Sequence, residues 1–335
     1  MRVCVIAGGV GSARFLAGLV RVVDPSEVTV IGNTGDDERV RGLHVSPDID
    51  TVLYHLAGET DWERGWGMSD ESFVANSRYV SLVERAGVDV DMQEWFGLGD
   101  RDLATNMFRT RLLDAGRPLS FAIDALRRAM GIGSVVLPMS DSPVRTELVT
   151  ASGERLDFQT YFVRRQHGDE VVSVEFVGAS DVARPAPGVL DAISSAGVVV
   201  IPPSNPIVTV APVLAVPGIR DAIARSSAVR VAVSPIVGGR AIKGPLEPLL
   251  RAFGHDVSPS GVAAIYRGLV DVFVLDALDA SEAAAVEALG MRPVVCDTIM
   301  SGPDEAARLA KEVLDDVAIE GILPDSGHNP STGAR

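Results

Sequence analysis

Val3-Cys4-Val5-Ile6-Ala7 runs straight into Gly8-Gly9-Val10-Gly11-Ser12. Residues 2–7 read as one continuous apolar strand, buried on both faces. The glycines predict a tight turn, and Phe15, Leu16, Leu19 and Val22 then recur at helical spacing. A second apolar run at 28–31 completes a strand, turn, helix, strand unit, whose crossover is right-handed by default.

Downstream the pattern changes. Helical segments at 51–57, 71–85, 102–113 and 120–130 predict a helical lobe, 58–130, inserted between core segments 1–57 and 131–322. A strand resumes at 135–137, and residues 145–177 alternate in the manner of antiparallel strands. Apolar runs at 198–201, 229–233, 272–275 and 293–295 are separated by helical stretches at 245–253, 281–289 and 304–317. The expected architecture is α/β: a doubly wound, mainly parallel sheet with an inserted helical lobe. Residues 323–335, rich in Pro, Ser, Gly and Asn, read as a flexible tail.

At 335 residues the chain can bury a large core. Its formal net charge of −15, with no long basic run, argues against DNA or RNA as a partner and for a small ligand. Only Cys4 and Cys296 are present, each in an apolar run, so neither a disulfide framework nor a zinc spacing exists. That usage fits a reducing cytoplasm. The apolar run at the N-terminus stops at Gly8, too short for a signal peptide or a membrane span, so neither export nor membrane attachment is expected.

The glycine loop presents backbone amides and a helix N-terminus to a phosphate, with Gly9, Gly11 and Ser12 at closest approach. It is not a P-loop, because no Gly-Lys-Ser/Thr follows, and Arg14 stands where a dinucleotide fingerprint has its third glycine. Arg14 suits a bound phosphate better than it suits the helix dipole. After the second strand come Asn33-Thr34-Gly35-Asp36-Asp37 and Ser46-Pro47-Asp48-Ile49-Asp50, four aspartates within fifteen residues. Helix capping by Asp48 and turn chemistry explain some of them. A general base or a hard cation explains the cluster as a whole, with Mg²⁺ first and Ca²⁺ or Mn²⁺ next.

Three further stretches are candidates. Trp66 and Gly67 can receive a planar ring, and Arg101 between Asp100 and Asp102 is either presented to a ligand or part of a helix-start network. Ser140-Asp141 and Ser204-Asn205 each follow a strand, where ligands bind in an open parallel sheet. The five histidines show no triad spacing.

Taken in order, these blocks, with Gly65-Trp66-Gly67, Leu98-Gly99-Asp100-Arg101-Asp102, Leu137-Pro138-Met139-Ser140-Asp141, Pro203-Ser204-Asn205-Pro206 and Val216-Pro217-Gly218-Ile219-Arg220, resemble the 2-phospho-L-lactate transferase family of coenzyme F-420 biosynthesis. The resemblance runs from the first strand to about residue 300. It implies a Rossmann-like, Mg²⁺-dependent, dimeric enzyme. Such an enzyme moves a phospholactyl or phosphoenolpyruvyl group from a guanosine diphospho donor to the ribityl hydroxyl of the deazaflavin Fo, releasing GMP. Carried over, Asp50 and Arg101 hold Fo; Asp36, Asp37 and Asp48 supply or support the metal; Asp50 or Asp37 acts as base. Position 12 is Ser where relatives often have Gly, and Pro202 replaces a commoner Gly or Ala. A regulatory sugar-nucleotide-binding protein of the gluconeogenesis-factor type is the alternative, opposed by Asp48-Ile49-Asp50 and the Arg101 block. An NAD-dependent oxidoreductase is disfavoured by the missing third glycine and by Asn33 at the end of the second strand.

Overall fold

The computed structural model describes residues 1–321 except 91, 92, 94 and 243; the expected tail, 323–335, lies outside the described residues. Seven strands form the central sheet: β1 (Val3–Ala7), β2 (Val28–Gly32), β3 (Val135–Pro138), β4 (Val198–Ile201), β5 (Val229–Val233), β6 (Val272–Asp276) and β7 (Arg292–Cys296). Their spatial order is β3-β2-β1-β4-β5-β6-β7, and every neighbouring pair is parallel.

Alternation along each strand divides the core in two. Val3, Val5, Val28, Val30, Val198 and Val200 face one apolar layer. Cys4, Ile6, Ile31, Val199 and Ile201 face the other, which is why the strands read as continuous apolar runs rather than alternating ones. The first layer is covered by helices α1 (Gly9–Leu19), α2 (Pro47–Ala57), α5 (Leu119–Ala129) and α6 (Pro303–Gly321). Gly18 lets α1 and α6 touch: a Cβ there would lie 2.2 Å from the Ala306 backbone.

The helical insertion is narrower than the sequence pattern predicts. Helices α3 (Val74–Ala86) and α4 (Asp100–Asp114) stand over the sheet's C-terminal edge, but α5 buries Leu119, Ile123 and Leu126 in the sheet's own core. It is the crossover helix that delivers β3. The antiparallel expectation for 145–177 holds as a separate three-stranded sheet, Arg155–Asp157, Arg145–Thr150 and Val171–Val177, around Leu148, Leu156 and Tyr161. No single helix among the described residues is long and apolar enough to cross a membrane.

Strand order reverses between β1 and β4. Chain connections leave that point in opposite directions, so a crevice opens at the C-terminal ends of these two strands.

Candidate active site

A cleft of about 750 Å³ fills that crevice. Its floor is the glycine loop. Gly9 has φ +68°, and a Cβ on Gly11 would lie 1.9 Å from the Pro203 carbonyl oxygen, so the loops after β1 and β4 touch backbone to backbone. The Ser12 and Ser204 hydroxyls bond across the seam, and Ser204 Oγ also donates to the Gly8 carbonyl at 3.3 Å. Asn205 spends its side-chain oxygen on the Ile207 and Val208 amides. The first turn of α1 carries no acidic residue of its own; the Gly9 amide donates to Asp48, and the helix N-terminus beyond it suits a negative group.

Asp48 stands directly against this loop, and Asp36 lies within range of its charge. Asp48 lies inside the first turn of α2 rather than capping it, because Pro47 already begins the helix. Its carboxylate accepts from Asn33 Nδ2 at 2.9 Å, and it fills the space beside Gly8, where a Cβ would come within 2.4 Å of it. Burial pushes Asp48 up to about 6, against the bonds from Asn33 and the Gly9 amide. Burial first, then the charges of Asp48 and Asp37, hold Asp36 well above the usual carboxylate range. Asp36 Oδ1 has no hydrogen-bond partner, although both carboxylates line the cleft. Two desolvated like charges beside a phosphate-sized cradle fit a divalent cation. No group of three or more His, Cys, Asp or Glu among the described residues could hold an ion unaided. A cation here would therefore draw its remaining ligands from phosphate oxygens and water.

Asp37 is placed differently from the expectation that made it a base or ligand. It accepts from Ser46 Oγ at 2.8 Å and from His44 Nε2 at 3.0 Å and does not line the cleft, so its work is to tie the strand pair Glu38–Val40 and Leu43–Val45 to the start of α2.

The other end of the cleft is built from α2 and α4. Asp50 is gripped by Arg109, which has no exposed surface; Arg109 Nη1 reaches Asp50 Oδ2 at 3.1 Å and Asn106 Oδ1 at 2.7 Å, and Nη2 bonds Asp50 Oδ1. Asp102, Asn106 and Arg109 follow at steps of four and three, one face of α4. Asp102 and Asn106 line the cleft with Tyr54.

Asp100 and Arg101, expected to hold ligand, point elsewhere. Asp100 caps α3, accepting from the Val74 and Ala75 amides at 3.1 and 3.0 Å, while Glu71 caps α4 through the Arg101 and Asp102 amides. Arg101 is exposed and donates to the Ser69 carbonyl at 3.0 Å. This is the helix-start network, and it aims the neighbouring Asp102 inward.

Ser140 and Asp141 are also displaced from the site. They follow the edge strand β3, where Asp141 caps α5 through the Ser120 amide at 2.7 Å and hydroxyl at 2.9 Å. Arg14 does line the cleft, but its guanidinium is committed to the Trp62 and Met300 carbonyls at 2.5 and 3.2 Å and lies 5.4 Å from the Trp62 ring centroid. Trp66 and Gly67 line the cleft. A further part of the lining was not legible in the sequence: Phe158 and Phe162, from the segment after Arg155–Asp157, stack with ring centroids 5.6 Å apart, and Ile242 and Met300 join the lining from loops after β5 and β7. The only sequence signal for that part was the placement of loops after strands.

The profile of the family described as 2-phospho-L-lactate transferase CofD matches residues 3–315. The chain belongs to the 2-phospho-L-lactate transferase family. It is 43% identical to a phosphoenolpyruvate transferase of Streptomyces griseus, over 94% of this chain and 98% of that one. It is 46% identical to a phosphoenolpyruvate transferase of Streptomyces avermitilis (94% and 97%) and 37% identical to a 2-phospho-L-lactate transferase of Methanosarcina acetivorans (92% and 97%). Among solved structures, a Bacillus halodurans protein of the UPF0052 family superimposes with a TM-score of 0.62 over 93% of this chain and 98% of its own, at 17% identity, a likeness of fold alone. Within the transferase family, the blocks that the sequence displays therefore divide into two sets. The glycine loop, Asp36, Asp48, Asp50 and Ser204 meet in the cleft, whereas Asp37, Asp100 and Asp141 hold the elements that shape it.

Proposed function

We propose that the protein transfers a phosphoenolpyruvyl or 2-phospholactyl group from a guanosine diphospho donor to the ribityl hydroxyl of Fo, releasing GMP. The observation that carries this reading is the single cleft in which the amide-lined glycine loop, the buried pair Asp36 and Asp48, and an aromatic-walled chamber adjoin, in a chain of this family. The Streptomyces relatives named phosphoenolpyruvate transferases are 43–46% identical, against 37% for the archaeal 2-phospho-L-lactate transferase, which favours the phosphoenolpyruvyl donor.

In this reading the donor's diphosphate lies on the amides of Val10 and Gly11 at the N-terminus of α1. Asp36 and Asp48 hold Mg²⁺, which when bound neutralises charge on the diphosphate. The Asp50–Arg109 pair keeps a fixed carboxylate edge toward the acceptor side and orients its hydroxyl. Trp66, Phe158 and Phe162 in the lining cover planar rings and exclude water. A cytoplasmic location fits the two free thiols, and a homodimer would cover Leu82, Met107 and Phe108, all exposed on α3 and α4.

Incubating the protein with Fo, Mg²⁺ and each guanosine donor, and following product mass, tests the reading. An Fo adduct with GMP is the expected result, formed fastest from the phosphoenolpyruvyl donor. Tight guanosine-donor binding with no adduct from any donor would favour a binding protein instead.

A further inference from the structure

Four carboxylates line the cleft among the described residues: Asp36, Asp48, Asp50 and Asp102. Asp48, against the glycine loop, and Asp36, which feels its charge, suit a cation. Asp50 has both oxygens engaged by Arg109. Among the described residues Asp102, like Asp36 and Asp48 and unlike Asp50, has no arginine or lysine bonded to its carboxylate, and it differs from that pair in standing on α4 beside Tyr54. It lines the cleft beside Gly67, where a Cβ would stand at ordinary contact distance, 3.9 Å from Oδ2, so the acid faces the space a ligand would fill. Its own helix and the Glu71 cap on its amide fix its position, with Asp50 and Tyr54 of α2 facing it.

We propose that Asp102 is the catalytic base, taking the proton of the acceptor hydroxyl as that oxygen attacks the donor phosphorus. The inference rests on the transfer reading above. The new bond joins the acceptor oxygen to the phosphorus that bears the three-carbon acid. The bond from that phosphorus to the bridging oxygen breaks, and GMP leaves with the electron pair. The proton stays on Asp102 until product departs and is then lost to water.

Burial lifts Asp102 to about 6, where a carboxylate can accept a proton near neutrality and still be ionised beforehand. The groups that face it are Tyr54 and Asp50 from α2, Glu71 from the loop before α3, and Arg109 from its own helix. Asp50 and Glu71 raise it further; the Tyr54 hydroxyl and the Arg109 charge oppose them. This assignment replaces both sequence candidates for the base, since Asp37 lies outside the cleft and Asp50 is held by arginine.

The test compares wild type, Asp102→Asn and Asp102→Glu in the mass-followed transfer assay across pH. Asp102→Asn should lower kcat by about 10²- to 10⁴-fold with the acceptor KM within about threefold, and Asp102→Glu should recover part of kcat. With Mg²⁺ saturating at every pH, so that Asp36 and Asp48 stay ionised, the wild-type kcat should rise with pH through a midpoint of about 6, and that acidic limb should be missing from the residual activity of Asp102→Asn. If Asp102→Asn is too unstable to assay, persistence of a limb, displaced, in Asp102→Glu carries the same information. A wild-type rate flat from pH 5 to 8, or an unchanged limb in Asp102→Asn, overturns the assignment while leaving the transfer reading intact. A wild type that makes no adduct removes that reading, and the assignment falls with it.

Discussion

Arg109 on α4 and Asp50 on α2, 59 residues apart, form a two-point ion pair in which the arginine has no exposed surface. The pair joins the inserted helices to the sheet layer at the cleft itself. Cutting one partner leaves a buried charge unpaired, so Arg109→Met should destabilise the protein by about 3–5 kcal/mol. Replacing both, as Asp50→Leu with Arg109→Met, should restore most of that stability without restoring activity. Urea denaturation of the three variants measures it, and a loss below about 1 kcal/mol in the single variant would contradict a desolvated pair.

Metal-free stability should fall as pH rises. The folded-state values of Asp36 and Asp48 are raised, so the folded protein holds protons that the unfolded chain has already released. Their penalty is absent below the ordinary aspartate range, grows through it, and for Asp48 is complete above about 6. Asp48→Asn should therefore stabilise the metal-free protein at pH 7.5 by an amount on the order of 1–3 kcal/mol, less whatever the Asn33 bond contributed. Thermal denaturation at about pH 4.5 and 7.5, with chelator present, reads the difference. No gain at the higher pH would argue against the desolvated pair.

Addition of Mg²⁺ should reverse the same penalty. In wild type the ion should raise the melting temperature more at pH 7.5 than at pH 5, since protonated carboxylates bind it poorly. Asp36→Asn should abolish the increment and lower turnover at least about 100-fold. An Mg²⁺ response unchanged in Asp36→Asn would place the ion elsewhere.

Gly11→Ala should damage donor binding more than Gly9→Ala. At Gly11 the added methyl meets the backbone oxygen of Pro203, which cannot rotate away, so the loops after β1 and β4 must separate. At Gly9 a Cβ would make only ordinary contact, 3.7 Å from Asp48 Oδ1, and the cost is the positive φ, about 1–2 kcal/mol. Calorimetric titration with GMP should show at least a tenfold weaker Kd for Gly11→Ala. Equal affinities in the two variants would mean that the seam does not hold the phosphates.

Arg101→Ala should leave kcat/KM within about threefold, because the side chain is exposed and bonds only a carbonyl. Asp37→Asn should lower stability through Ser46 and His44 while sparing the acceptor KM. Steady-state assays on both variants check the placement. A tenfold rise in acceptor KM for Arg101→Ala would return that residue to the ligand.

The parallel sheet, the phosphate-ready glycine loop and the neighbourhood of Asp36 and Asp48 were legible in the chain, because each depends on residues close in sequence. A strand buried on both faces must be apolar throughout, as residues 3–7 are, and a loop that meets another backbone must lack side chains, as Gly11 does. Family membership was legible for the same reason, since the motifs keep their order from one end of the chain to the other. What only the tertiary structure decided is which member of each motif faces the cleft. Arg101 and Asp102 are neighbours, but successive residues on a helix diverge by about 100°, and the caps from Glu71 and Asp100 set the rotation that sends one to solvent and the other inward. Asp50 found its partner, and Asp141 its helix, across separations that local pattern does not carry. Direction of a side chain is settled by packing between elements, and that exists only once the chain has folded.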